Sequence, residues 1–172
     1  MSNFIKVIDG IEICDNAFNE EKIINFSKKI FSDENIHFGY IAKSNYEEQP
    51  SFWFMPLIME NGKINLFFEE ELNYFKNYFS NKIIRAYMNA QTFGQSGSFH
   101  QDDGSITYLF YPDPNWNIER GGGTEFRLQD DISFVVYPKF NRLIKFNSKI
   151  YHRSLPNPDP KGLRVSVAFK TE

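Results

Sequence analysis

The sequence predicts a mainly β (α+β) fold, in which a double-sheet jelly roll is buttressed by two N-terminal helices. Two observations lead to this prediction. Helical periodicity is confined to the first 80 residues, and short apolar runs separated by turn residues fill 82–170. No linker or internal repeat interrupts the chain. We therefore expect 1–172 to form a single domain, with 1–80 as a helical support and lid region and 82–170 as the jelly-roll core.

Two helices are predicted in the N-terminal part, after an apolar stretch at residues 4–13 that is typical of a strand or hairpin. From Phe18 to Phe31 the apolar positions recur at the spacing of an amphipathic helix, which should end near Ser32. A second helix is expected at residues 64–80. Its core face would be formed by Leu66, Phe68, Leu72, Phe75 and Phe79.

Residues 33–62 have no clean hydrophobic period, so periodicity predicts neither a helix nor a strand there. The polar run 44–51 is predicted to be a loop, for which a substrate lid and an ordinary mobile loop are both open interpretations. Strands are expected where short apolar runs alternate with turn residues. These runs are Ile83–Met88, Ser105–Tyr111, Thr124–Phe126, Ile132–Tyr137, Arg142–Phe146 and Arg164–Phe169.

Composition and charge narrow the class of protein. Hydrophobic residues make up 41% of the chain and charged residues 24%, which are values typical of a folded globular protein. The net charge of −3 gives no strong sign of nucleic-acid binding. A single cysteine, Cys14, excludes an intrachain disulfide and a thiolate zinc site. With neither a signal peptide nor a membrane-spanning stretch, we expect a soluble intracellular protein without a membrane partner.

Candidate metal ligands occur in the segment Phe99–Gly104, where His100 and Asp102 are two residues apart. In an extended segment, residues i and i+2 point to the same side, so these side chains should converge. Asp103 would then face the other way. An imidazole and a carboxylate at one point suit a divalent metal with borderline ligand preference. Taken alone the pair is a weak signal, and a surface His–Asp hydrogen bond is the simpler interpretation.

A third ligand and an anion-binding group follow later in the chain. His152 is the only histidine in the later strands, and Arg164 begins the last of them. Two histidines and one carboxylate on one face are typical of non-haem Fe(II) oxygenases. The planar guanidinium of Arg164 is suited to hold a carboxylate by two hydrogen bonds. The remaining histidine, His37, is expected to be a bystander.

The pattern His100-x-Asp102, His152 and Arg164 resembles the His-x-Asp…His…Arg pattern of the Fe(II)/2-oxoglutarate-dependent dioxygenases, and within them the prolyl 4-hydroxylase-like branch. The resemblance covers about 82–170 and includes three further segments in the same order. They are Ile106–Tyr111 after the His-x-Asp, Trp116 with Gly121–Thr124 before the next strand, and Pro138 with Asn141–Phe146 before the second histidine.

The resemblance implies a double-stranded β-helix (jelly roll) enzyme that uses Fe(II), 2-oxoglutarate as cosubstrate and O2, with ascorbate as a candidate reductant. His100, Asp102 and His152 would ligate the iron, and Arg164 would hold the distal carboxylate of 2-oxoglutarate. Tyr111 stands where this branch often places a tyrosine that bonds the same carboxylate, although a strand tyrosine is as often part of the core. The reaction would hydroxylate a substrate C–H bond and release succinate and CO2.

The chain also departs from the pattern at two places. Many relatives carry a tyrosine, on the strand before the His-x-Asp, that contacts the cosubstrate. The residues available for this role are Tyr87, Asn89, Gln91 and Phe93, and the sequence does not choose among them. The nucleic-acid-repair branch carries a second arginine six residues after the first, where this chain has Lys170. That difference disfavours a nucleic-acid substrate.

The substrate is left open by the sequence. The prolyl 4-hydroxylase-like branch suggests a prolyl residue of a protein or peptide, which is an argument by analogy with a fold. A free amino acid, another small metabolite or a nucleobase is an alternative. A jelly-roll protein that binds a metal or ligand without catalysis is an alternative of a different class.

Overall fold

The computed structural model of the protein describes residues 4–32, 37–40, 51–59, 61–129 and 132–172, with 37–40 as backbone only. The His37 side chain and residues 44–50 of the predicted loop lie outside this description. The helices are α1 (Glu20–Ser32) and α2 (Glu69–Tyr78), and a 3₁₀ turn (Leu66–Phe68) leads into α2. Neither helix in the described part of the chain is long and apolar enough to cross a membrane.

The strands of the described residues form two antiparallel sheets. Their bounds are β1 (Ile5–Ile8), β2 (Ile11–Cys14), β3 (His37–Tyr40), β4 (Phe52–Ile58), β5 (Ile83–Gln91), β6 (Ile106–Tyr111), β7 (Thr124–Arg127), β8 (Ser133–Val136), β9 (Arg142–Asn147), β10 (His152–Ser154) and β11 (Arg164–Thr171). The larger sheet has the order β1-β2-β9-β6-β11-β5-β4-β3, and the smaller has the order β10-β7-β8. A mainly β fold with two N-terminal helices and antiparallel sheets is therefore confirmed.

The N-terminal part contributes strands as well as the predicted helices. β4 pairs with β5 and extends the large sheet, and β3 pairs with β4. Periodicity gave no sign of β4 because its sequence, Phe-Trp-Phe-Met-Pro-Leu-Ile, is a continuous apolar run without polar alternation. Pro56 would also demote such a run, and the ladder is irregular between Pro56 and Ile58.

The large sheet is covered on both faces. Its first face packs on α1 and α2 through an aromatic cluster in which the Phe75 ring lies 4.9 Å from Phe169 and 5.0 Å from Phe18. Its second face packs on the small sheet through residues such as Phe126 and Phe146, whose ring centroids are 5.0 Å apart. Each large aromatic side chain buried in this way contributes about 1.5–3 kcal/mol to folding. Every residue of β11 is consequently buried, with Val165, Val167 and Phe169 in the core under the helices and Ala168 in the core under the small sheet.

Candidate active site

Strand β11 separates the helical core from a cavity. Val165, Val167 and Phe169 belong to the core that contacts the helices. The alternate residues face the cavity and form its floor with the side chains opposite them on β5. These cross-strand pairs are Arg164–Gln91, Ser166–Asn89, Ala168–Tyr87 and Lys170–Arg85. The cavity has a volume of about 100 Å³, and the loop around His100 and strand β10 complete its walls.

The predicted metal ligands converge at this cavity. One ligand atom from each of His100, Asp102 and His152 lies within 4.8 Å of the other two. His100 Nε2 is 3.6 Å from Asp102 Oδ1, and His152 Nε2 is 3.3 Å from Asp102 Oδ2. A reciprocal pair of backbone hydrogen bonds, each 3.0 Å, joins His100 to His152 and fixes their separation. Asp103, by contrast, is exposed and pairs with Arg85 at 3.2 Å.

Backbone carbonyls orient both imidazoles. His100 Nδ1 lies 2.9 Å from the carbonyl oxygen of Ser98, and His152 Nδ1 lies 2.9 Å from that of Ile150. A carbonyl oxygen can only accept, so Nδ1 of each ring is the donor and Nε2 is the nitrogen that faces Asp102. A hydrogen bond from Nδ1 to a backbone carbonyl is typical of histidines that bind metals through Nε2, because it fixes both the tautomer and the ring plane.

The electrostatics of the cluster also suit a metal. Burial, together with the neighbouring His152, lowers the pKa of His100 to about 4, so its imidazole is neutral at pH 7. Burial alone would raise the pKa of Asp102, but the charge of Lys170 and the contacts with His152 outweigh it and hold that pKa well below its ordinary value. A neutral imidazole and an ionised carboxylate are the protonation states that metal binding requires. The donor set therefore fits Fe(II) or a similar divalent ion.

Two side chains that sequence reasoning did not assign to the site hold the Asp102 carboxylate. Thr107 donates a hydrogen bond of 2.7 Å from its hydroxyl to Oδ2, and the Lys170 ammonium contacts the same oxygen. The signal for Lys170 was its place in β11, because it alternates with the core residues and shares the cavity face with Arg164. Nothing in the sequence singles out Thr107, whose contact with Asp102 depends on the packing of β6 against the loop that carries His100 and Asp102.

Arg164 is a buried cation with neutral partners. Its side chain lies on the cavity wall and is only 2% exposed. Its Nη1 donates to Gln91 Oε1 over 3.0 Å, its Nη2 donates to Thr124 Oγ1 over 3.1 Å, and its Nε donates to the carbonyl oxygen of Gly122. Within the described part of the chain, no carboxylate lies within 4 Å of this guanidinium. A buried charge without a counter-ion is costly, so the site is suited to an anionic ligand.

The remaining candidates differ in their relation to Arg164. Tyr111 is buried, its hydroxyl is 2.7 Å from Thr124 Oγ1, and its ring centroid is 5.6 Å from the Arg164 guanidinium. Among the four residues before the His-x-Asp, Gln91 bonds Arg164 directly, while Tyr87 and Asn89 line the cavity. Phe93 is 63% exposed and lies away from it. Among these four residues, Gln91 is thus the one that contacts Arg164.

Comparisons with known proteins agree with this architecture. No family model matches the sequence, and no curated protein matches it at the level of sequence. Solved structures do match. A 2OG-Fe(II) oxygenase family oxidoreductase from Burkholderia pseudomallei has a TM-score of 0.75 at 12% identity, covering 95% of this chain and 85% of that chain. A prolyl-4-hydroxylase from Pseudomonas putida has a TM-score of 0.72 at 12% identity, covering 95% and 93%.

A third structure is a prolyl hydroxylase from Trichoplax adhaerens in complex with a peptide fragment of the hypoxia inducible factor oxygen degradation domain. It has a TM-score of 0.70 at 15% identity and covers 96% of this chain and 85% of that chain. The protein therefore has the fold of the 2OG-Fe(II) oxygenases. Within that fold it is similar to prolyl hydroxylases, and it carries the His-Asp-His cluster that the resemblance in sequence predicted.

Proposed function

We propose that the protein is an Fe(II)- and 2-oxoglutarate-dependent oxygenase that hydroxylates a substrate C–H bond and releases succinate and CO2. The observation that carries the proposal is Arg164, a buried cation without a carboxylate partner in the described structure, on the wall of the cavity that holds the His-Asp-His cluster. A metal-binding cluster and an anion-binding group in one cavity match a cosubstrate that is both a chelator and a carboxylate.

Each residue of the site has a proposed role. His100, Asp102 and His152 would hold the iron, and Arg164 would hold the distal carboxylate of 2-oxoglutarate. Gln91 and Thr124 fix the plane of the guanidinium by their hydrogen bonds to it. The family resemblance implies a direct contact of Tyr111 with that carboxylate. The hydroxyl of Tyr111 lies 2.7 Å from Thr124 Oγ1, which supports an orienting role for this tyrosine.

The chain contributes orientation and exclusion of water. Bound iron with 2-oxoglutarate and O2 would supply the oxidising chemistry, for which ascorbate is a candidate reductant. Phe146 packs its ring 4.7 Å from that of His152, and Leu109 lines the cavity beside it. These apolar walls limit water around the ligands and strengthen the electrostatic contacts inside. The carbonyls of Ser98 and Ile150 keep both imidazoles in the metal-binding tautomer.

The fold is further proposed to be a double-stranded β-helix, and the substrate a protein or peptide. Two antiparallel sheets that enclose the site support a double-stranded β-helix, with 1–172 as one catalytic domain. The similarity to prolyl hydroxylases favours a protein or peptide substrate, as in the complex of the Trichoplax adhaerens enzyme. A free amino acid, another small metabolite and a nucleobase are the alternatives, and an intracellular location is expected.

The proposal is tested by anaerobic titration of the purified protein with Fe(II) and then 2-oxoglutarate. Chelation of the iron by the oxo acid should produce a weak visible charge-transfer band. Succinate should then form slowly when O2 is admitted, even without substrate. A band without succinate would identify a binding protein of the same fold, and the absence of both with folded protein would refute the assignment. Screening peptides and metabolites for faster succinate release would then identify the substrate class.

A further inference from the structure

We infer that Lys170 is a positioning residue of the metal centre. Its charge shifts the preference of the site away from a bare divalent ion and towards an ion accompanied by an anionic cosubstrate. This inference rests on the proposed function, since it concerns the same cavity. It adds a second cation to that cavity, at the opposite end of the β11 floor from Arg164.

Three contacts hold the Lys170 ammonium inside the protein. The side chain is 2% exposed and its Nζ contacts Oδ2 of Asp102. Thr107 Oγ1 is 3.5 Å from Nζ, and the centroid of the Tyr87 ring is 5.3 Å from it. A lysine usually extends its charged end to solvent, because burial of an ammonium removes its hydration. Here β11 directs the side chain inward, onto a carboxylate that faces two imidazoles.

The contacts of Lys170 and Thr107 with Asp102 affect which carboxylate oxygen is available to a metal ion. Oδ2 accepts the Thr107 hydroxyl at 2.7 Å and also contacts Lys170. Oδ1 faces His100 Nε2 at 3.6 Å and takes neither of these donors, while Oδ2 also faces His152 Nε2 at 3.3 Å. Because Thr107 and Lys170 both occupy Oδ2, Oδ1 is the oxygen that stays free of donors, and Asp102 would act as a single-oxygen ligand. That leaves more of the coordination sphere open than a two-oxygen carboxylate would.

The charge of Lys170 has opposite effects on the two ligands of the site. With both imidazoles neutral, as metal binding requires, Asp102 and Lys170 together carry no net charge. A divalent ion must therefore enter beside a buried cation, and repulsion in this weakly screened environment lowers its affinity. A dianionic oxo acid is attracted by Lys170 as well as by Arg164. Lys170 thus disfavours the ion alone and favours the ion with its cosubstrate.

The test uses Lys170→Met, which keeps the apolar stem and removes the charge. Co(II), a redox-stable probe, is titrated calorimetrically into metal-free protein, and 2-oxoglutarate is then titrated into the Co(II)-loaded protein. Relative to wild type, we expect the Kd for Co(II) to fall about tenfold and the Kd for 2-oxoglutarate to rise about tenfold. In Lys170→Arg the Kd for Co(II) and the Kd for 2-oxoglutarate should both stay close to the wild-type values, because this variant keeps the positive charge.

A matched control and a second variant distinguish the effect of the lost charge on the two affinities from an effect of lower protein stability. Lys145→Met removes another lysine of the large sheet, one that pairs with Glu12 at 3.1 Å, and should change neither affinity. Lys170→Gln keeps a hydrogen-bond donor without charge and should reproduce the two opposite shifts if the methionine variant does not fold. Lower thermal stability without opposite shifts, or weaker Co(II) binding, would overturn the inference. Wild-type protein that binds neither Co(II) nor 2-oxoglutarate would instead refute the proposed function.

Discussion

Arg164 Nη1 donates a hydrogen bond of 3.0 Å to Gln91 Oε1, across the directly paired strands β11 and β5. The bond joins a buried cation to a neutral amide, so it orients the guanidinium without neutralising its charge. A carboxylate at the same position would have satisfied Arg164 within the protein. The amide at position 91 therefore keeps the positive charge of Arg164 available to a ligand.

Gln91→Glu should convert this orienting contact into an internal salt bridge. The variant should fold, because an opposite charge beside a buried guanidinium is favourable, and its 2-oxoglutarate affinity should fall by about tenfold or more because the carboxylates compete for one cation. The measurement is the 2-oxoglutarate dependence of the anaerobic charge-transfer band. Gln129→Glu, the same change at an exposed position, is the control. Unchanged affinity in Gln91→Glu would show that the cosubstrate does not use Arg164.

Arg164→Ala should weaken 2-oxoglutarate binding by about 2–5 kcal/mol, since it removes one partner of a buried charge pair. Metal binding should persist, because none of the three candidate ligands bonds to Arg164. Calorimetric titration with Co(II), followed by 2-oxoglutarate, measures both. Arg120→Ala serves as a control, because its guanidinium pairs with Asp159 at 3.2 Å, away from the cavity. Loss of Co(II) binding in Arg164→Ala would indicate a collapsed cavity rather than a lost anchor.

Asp102→Asn should abolish divalent-metal binding, whereas Asp103→Asn should retain it. The two carboxylates are adjacent in sequence, but Asp102 is buried against both imidazoles and Asp103 is paired with Arg85 at the rim. An amide at 102 would lose the negative charge that Fe(II) requires and would leave Lys170 without its counter-ion. Calorimetry with Co(II) separates the variants, and circular dichroism checks the fold. Equal metal affinity in the two would refute the ligand assignment.

The sequence predicted the parts of the site that follow from local spacing or ordered motifs. His100 and Asp102 converge, as expected for residues i and i+2 of an extended segment. His152 and Arg164 lie in the same cavity. Gln91, Thr107 and Thr124 could not be assigned, because each acts through a contact with a residue more than four positions away. In the sequence, Lys170 is distinguished only as the residue that replaces the second arginine of the nucleic-acid-repair branch. Its contact with Asp102 depends on which face of β11 packs against the cavity.

For the fold, too, the features with a local sequence signal were predicted and those that depend on distant pairing were not. Both helices were predicted from the 3.6-residue period of their apolar faces, since that signal is local. The expected start of the second helix was wrong: Leu66, predicted on its core face, is 75% exposed and lies in the 3₁₀ turn before α2. The order of the large sheet depends on which distant strands pair, such as β2 with β9, and hydrophobic spacing carries no such information. β4 was missed for a different reason, because a continuous apolar run that contacts the core on both sides and contains proline lacks the alternation of a strand.

Asp15 should give the protein an acid-sensitive contribution to stability. Arg142 donates two hydrogen bonds to this carboxylate, at 2.6 and 3.0 Å, and Lys139 pairs with it at 2.7 Å. The hydrogen bond from Arg142, opposed by partial burial and reinforced by Lys139, lowers the pKa of Asp15 to about 2. Because the folded-state pKa lies below the unfolded value, this contribution is complete above pH 4 and is lost as the pH falls towards 2.

Asp15→Asn should therefore lower the free energy of unfolding at pH 6 by about 1 kcal/mol, a value reduced for the partial exposure of the carboxylate. The difference from wild type should be mostly lost by pH 2, where about half of the folded-state Asp15 carboxylate is protonated. Urea unfolding of the metal-free protein at both pH values provides the measurement. Asp9→Asn, which removes the fully exposed partner of Lys6, should show a much smaller pH dependence, because solvent screens that pair although Lys6 also lowers the pKa of Asp9. A stability difference that persists at pH 2 would exclude the ionic contribution.

Gly104→Ala should destabilise the protein and weaken the metal site together. Gly104 has φ +77°, and a Cβ there would clash with the carbonyl oxygen of Thr171, which accepts the backbone N–H of Ser105 at 2.9 Å. The turn connects Asp102 to β6, so the clash would displace the carboxylate as well as the strand end. Gly62→Ala is the matched control, because Gly62 has φ +78° with no atom within 4 Å of an added Cβ.

Both substitutions place a side chain in the left-handed region, which costs about 1 kcal/mol each. The steric clash is present only at position 104. We therefore expect Gly104→Ala to lower the free energy of unfolding by at least about 2 kcal/mol, twice the loss in Gly62→Ala, and it alone should weaken Co(II) binding. Denaturant unfolding and Co(II) calorimetry on both variants measure these effects. Equal destabilisation in the two, with Co(II) affinity intact, would show that the turn at Gly104 does not position Asp102.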